Sequence, residues 1–125
     1  MEKLEIAKHL RKAAEVMIAG GIARGTRYNE RGAHCALGAI GTAFTGKQRE
    51  SNSHPEIEAA LSRMLPKKVG PDPYNCRDHE PSATCHAARV ATWSNNLCAT
   101  AEDVACVMRA TAELLEEEAK VGPDA

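Results

Sequence analysis

Gly32-Ala33-His34-Cys35-Ala36-Leu37-Gly38-Ala39-Ile40 is the stretch on which the fold turns. Small residues are spaced through it so densely that a helix built there can be approached closely by its neighbours. The expected helix runs from near Ala33 to Phe44 and stops at Gly46, with Cys35, Ala36, Ala39, Ile40 and Ala43 facing other elements. Gly38 and Gly41 would each cost about 1 kcal/mol against alanine in an exposed helix interior. Their natural reading is close approach of another backbone, so this helix is expected to be buried on more than one side.

Outward from this centre the helical period recurs. Upstream, Ile6, Leu10, Ala13 and Met17 repeat every three or four residues from Lys3 to about Ala19, and Gly20-Gly21 ends the run. Downstream, Pro55 suits a first helical turn, and Ile57, Ala60, Leu61, Met64 and Leu65 follow at helical spacing. A fourth helix is expected from Ala83 to Trp93, with Ala87, Val90 and Ala91 inward and Asn95 and Asn96 as left-handed stops. The last should run from Ala101 to about Lys120, because Thr100 and Asp103 make a capping box and Val104, Met108, Ala112, Leu115 and Ala119 form one stripe. Residues 66–82 break the pattern: Pro66, Gly70, Pro71, Pro73 and Pro81 exclude regular helix.

The 125 residues match one domain, and Phe44, Trp93, Tyr28 and Tyr74 are the only aromatic side chains. Much of the apolar content is alanine, which favours helices, while aromatic and β-branched runs at a two-residue period are nearly absent. The expected fold is therefore all-α: a single compact domain of about five helices, with a long proline-rich loop between the third and fourth. Formal charge is close to balance at −1, so composition implies no general nucleic-acid field. Basic residues crowd the first quarter and glutamates crowd the last helix, so the two ends can attract. The most apolar stretch, near Ala13 to Ile22, is short and interrupted by Glu15, so no membrane span is expected. Five cysteines, an odd number, and no secretory leader point to a reducing cytoplasm.

Four groups of residues carry possible chemistry. Arg24, Arg27, Tyr28 and Arg31 make a basic, aromatic-containing connection whose guanidinium groups suit an acidic partner surface or phosphate. Without a phosphate-cradling loop or a helix-turn-helix signature, nucleic acid or nucleotide is the alternative reading of this segment. Tyr74 and Arg77 extend the binding candidates into the long loop. Cys76, His79, Cys85 and His86 supply four zinc-type ligands within eleven residues, although adjacent Cys85 and His86 would diverge on a helix. A zinc-holding module, structural or hydrolytic, is thus the competing class. His34 and Cys35 do not face each other on a helix and make no catalytic dyad, and His9 and His54 read as surface residues. Trp93 reads as a core plug, with Ser94, Asn95 and Thr100 available to hydrogen-bond helix ends.

Cys35-Ala36-Leu37-Gly38-Ala39, Trp93-Ser94-Asn95 and Thr100-Ala101-Glu102-Asp103-Val104 together resemble a family of small uncharacterised proteins of actinobacteria and their phages. Members combine a Cys-x-Leu/Ile-Gly-Ala helix with a Trp-Asn-Asp turn and a Thr-x-x-Glu-Val helix start, and the likeness extends over about half the chain. Ser94 and Asn95 stand where Asn and Asp are usual, which removes a carboxylate, and Asp103 replaces Glu. The resemblance implies a fold and an origin and assigns no catalyst. The expectation is a non-enzymatic binding protein with a protein partner, cofactor-free, able to pair with itself through an alanine-rich face; a phage origin would make a host protein the target.

Overall fold

The computed structural model describes residues 1–24, 26, 28–47, 54–66 and 82–121. Among these, five helices and no strand are found: α1 (Lys3–Gly20), α2 (Ala36–Thr45), α3 (Pro55–Ser62), α4 (Ala83–Asn96) and α5 (Ala101–Val121). The all-α, single-domain expectation holds. Helix α1 lies along α5 and against α2, while α3 pairs with α4, so α2 sits between the two pairs.

Each helix follows from its residues. In α1, Ile6, Leu10, Ala13, Ala14 and Met17 form the buried face, and Gly21 at a φ of +82° turns the chain out of it. Eight of the ten residues of α2 are buried, Gly38 and Gly41 among them. Gly46, at a φ of +75°, closes that helix by returning its N–H to the Thr42 carbonyl. Val104, Met108 and Ala112 of α5 complete a core of alanine, leucine, isoleucine and methionine, into which Trp93 is sunk.

The basic first helix and the acidic last one attract as their sequences allow. Arg11 grips the Glu116 carboxylate through two N–H donors at 2.9 and 2.6 Å, and Lys3 meets Glu118 at 3.5 Å. Both pairs are exposed, so their contribution to stability is modest.

Three expected boundaries move. α2 begins at Ala36, not Ala33, because Ala33 and His34 are spent on backbone pairing with the connection before them: His34 N–H donates to Gly21 O at 3.1 Å and Asn29 N–H to Ala33 O at 3.0 Å. α3 ends at Ser62, leaving Met64 and Leu65 in the following turns. α4 runs through Asn95 and Asn96 instead of stopping before them, and Leu97 N–H closes it on the Trp93 carbonyl. Residues 67–81, most of the long loop, lie outside the described residues, as does Arg27.

Candidate functional site

The connection between α1 and α2 folds back on itself around His34. Gly20 carries no side chain toward Gly32; a Cβ there would fall 2.3 Å from the Gly32 carbonyl oxygen. His34 is 1% exposed, and its Nε2 pairs with Thr42 Oγ1 at 3.1 Å. Its Nδ1 faces the Gly32 carbonyl, but the geometry falls short of a hydrogen bond. Burial pushes the pKa of this imidazole down, with the Gly32 carbonyl opposing. This histidine serves as the pin of the connection.

Arg24, expected at a binding surface, reaches across to the end of α4. Its Nη1 donates to Asn95 O at 2.9 Å and its Nη2 to Ala99 O at 3.0 Å, where carbonyls lack helical partners. Its fork is thereby engaged by backbone carbonyls, while the residue itself stays exposed. Tyr28 is half-buried and its backbone pairs with His34, while Arg31 stays exposed.

The residues read as structural take up capping and core positions. Cys35 is the buried N-cap of α2, and Ser94 Oγ accepts the Ala36 N–H at 3.1 Å from across the interface with α4. Asp103 Oδ2 accepts from Ala99 N–H at 2.8 Å and from Thr100 N–H at 3.0 Å, while Thr100 Oγ1 accepts from Asp103 N–H at 3.3 Å. This is the reciprocal capping box at the start of α5. Beside it, burial first and the Asp103 carboxylate second push the Cys98 thiol up to about 11, against the pull of Arg24.

The seam between α3 and α4 holds a polar cluster that sequence reading did not identify. Ser62 Oγ pairs with His86 Nδ1 at 2.8 Å and accepts from Arg89 Nε at 3.1 Å; Arg89 Nη2 donates to Pro66 O at 2.8 Å. Arg89 thus caps α3 as Arg24 caps α4. The cluster is buried at Ser62, and no described cavity opens onto it. Cys85, expected as a metal ligand, is disulfide-bonded; among the described residues Cys35, Cys98 and Cys106 are outside any disulfide. The odd cysteine count therefore does not leave every thiol reduced. Cys85 offers no thiolate in this state, and His86 Nδ1 is already engaged. Tyr74, Cys76, Arg77 and His79 lie outside the described residues. Among the described residues no group of three His, Cys, Asp or Glu side chains converges as metal ligands do.

A described cavity of about 190 Å³ opens where α2 ends and α3 begins, lined by Met1, Phe44, His54, Pro55, Glu56 and Ile57. Phe44 is 41% exposed. His9 and His54, read as surface residues, pack their rings on Phe44 with centroids 4.8 and 4.4 Å away. His9 Nδ1 and His54 Nε2 are buried without hydrogen-bond partners. Burial is the main cause of a lowered His9 pKa; Lys8, Lys12 and His54 add to it and Glu5 opposes. Neither histidine stands in a motif, and 45 residues separate them, so local spacing carried no signal of this site.

Among the described residues, no helix is long and apolar enough to cross a membrane. A family model matches residues 1–114, and the family it describes is one of unknown function. The match is wider than the half of the chain that carries the resembling motifs. No curated protein and no solved structure matches the chain.

Proposed function

The chain belongs to the family of unknown function DUF6197, and from that premise we propose that it is a non-enzymatic binding protein that takes a partner protein at the Phe44 cavity. The observation that carries this reading is Phe44 itself, left 41% exposed in a chain with four aromatic residues and an alanine-rich core. A phenylalanine buries roughly 150–250 Å² when covered, and central aromatic side chains dominate protein interfaces. The cavity, at about 190 Å³, is smaller than the roughly 300 Å³ at which ligand pockets usually begin. Its size suits one inserted side chain of a partner better than a cofactor.

We place the protein in an actinobacterium or one of its phages, acting in the cytoplasm on a host protein. The basic connection plays a supporting part in this proposal, since Arg24 is held by α4 and Arg31 is left to meet the rim of the partner. The test is capture from an actinobacterial lysate with the native chain and with Phe44→Ala, Arg31→Glu and a distant surface variant, Glu113→Gln. A protein held by the native chain and by Glu113→Gln but lost with Phe44→Ala supports the site. Equal capture by the native chain and Phe44→Ala refutes it.

A further inference from the structure

At the junction of α1, α2 and α3, Phe44 packs against the imidazoles of His9 and His54, each with one buried ring nitrogen that has no partner. A neutral imidazole tolerates such a position by carrying its hydrogen on the other nitrogen, leaving only a lone pair at the buried one. A protonated ring has no such choice. Both nitrogens then carry hydrogens, so His9 Nδ1 becomes a buried donor without an acceptor.

We propose that His9, Phe44 and His54 form a proton-operated clasp that holds the start of α3 against α1 at neutral pH and releases it in mild acid. It is a property of the free chain and does not rest on the binding reading above.

The surrounding charges decide the sign. On α1, Glu5 favours the protonated His9 ring while Lys8, Lys12 and the neighbouring His54 oppose it, and burial outweighs Glu5. Helix α2 has no titratable side chain between Ala36 and Thr45; Lys47 follows it and adds only positive charge. On α3, Glu56 is paired with the Met1 ammonium at 2.6 Å, and Glu58 Oε2 accepts the His54 backbone N–H at 3.0 Å. Thus the nearest α3 carboxylates are already engaged. Attraction of a cationic His9 ring to Phe44 works against release, but it leaves the buried His9 Nδ1–H without an acceptor.

The reporter is the Glu58 amide, which closes the first turn of α3 on the His54 carbonyl at 3.0 Å. Hydrogen exchange of the full chain, corrected for the intrinsic pH dependence of exchange, would be followed at Glu58 and at Met108 in the core of α5 from pH 7.5 to 5.0. The proposal expects Glu58 protection to fall about tenfold or more and to stay well below that of Met108 at both ends of the range, since α3 opens without the core and each proton taken up only in the open state shifts the equilibrium by up to about tenfold per pH unit. The ring carbon shift of His9 should titrate over the same interval. His9→Gln combined with His54→Gln should remove the fall. Constant Glu58 protection overturns the clasp, as does Glu58 protection equal to that of Met108 throughout, because α3 would then open only when the whole chain unfolds. An undiminished fall in the double variant also overturns it, because the proton would then belong elsewhere. Should that variant not fold, the native comparison of Glu58, Met108 and the His9 ring decides alone.

Discussion

Replacing Gly20 with alanine places a methyl carbon 2.3 Å from the Gly32 carbonyl oxygen, 3.3 Å from its carbonyl carbon and 3.5 Å from His34 Nδ1. The nearest atom is backbone, so the segment itself must retreat by about 0.7 Å to reach even the 3.0 Å limit of real Cβ contacts. That segment is tied to α1 by His34 N–H to Gly21 O at 3.1 Å and Ala23 N–H to His34 O at 2.9 Å. Weakening two such bonds costs roughly 1 kcal/mol each, and overpacking adds about 1–3 kcal/mol. Alanine recovers at most about 1 kcal/mol of helix propensity at this last position of α1. The net expectation is a loss of about 2–4 kcal/mol, or a fall in Tm of roughly 6–20 °C. Urea unfolding followed by circular dichroism gives the value, with Gly46→Ala as a comparison: that site has open space but a φ of +75°, and should lose only about 1–2 kcal/mol. A Gly20→Ala midpoint at or above that of the native chain would show that the connection yields freely and that His34 does not pin it.

Further outcomes follow from the caps and the buried groups. Ser94→Ala leaves the Ala36 N–H without its acceptor and should cost about 1–2 kcal/mol in the same assay, whereas Ser94→Thr, which keeps the oxygen, should recover part of it. Arg24→Ala should destabilise the end of α4 by roughly 1 kcal/mol, read as faster amide exchange at Leu97. Among the free thiols, exposed Cys106 should alkylate fastest at pH 8, while Cys98, held up to about 11, waits for unfolding; early labelling of Cys98 would contradict its burial. His9 and His34 both have depressed pKa values in the fold. The unfolded chain therefore takes up these protons more readily, so stability is full above about pH 6.5 and falls as the pH drops below it. Urea midpoints at pH 7.5 and 5.0 measure this, and an unchanged midpoint would refute it.

Local composition was enough for much of the fold because helix ends are specified by neighbouring residues. Thr100 and Asp103 cap α5, Pro55 opens α3 and Gly46 closes α2, each within one turn of the groups it satisfies. The binding and metal candidates were less legible. Arg24 looked free to meet a partner because nothing in 24–31 reveals that carbonyls 71 and 75 residues away lie within reach of its fork. Arg89 and Ser62 carried no motif at all, and their meeting depends on how α3 and α4 pair.

What the sequence by itself determined is the all-helical class, the near-correct helix bounds and the buried stripes, because the 3.6-residue period and the caps act over a few residues. Only the tertiary structure decided where polar side chains converge. Phe44 meets His9 and His54 because α1, α2 and α3 come together there, and His34 is buried because Gly20 lets the Gly32 backbone close over it. Such encounters join residues far apart in the chain, and they are set by the packing of whole helices rather than by the residues beside them.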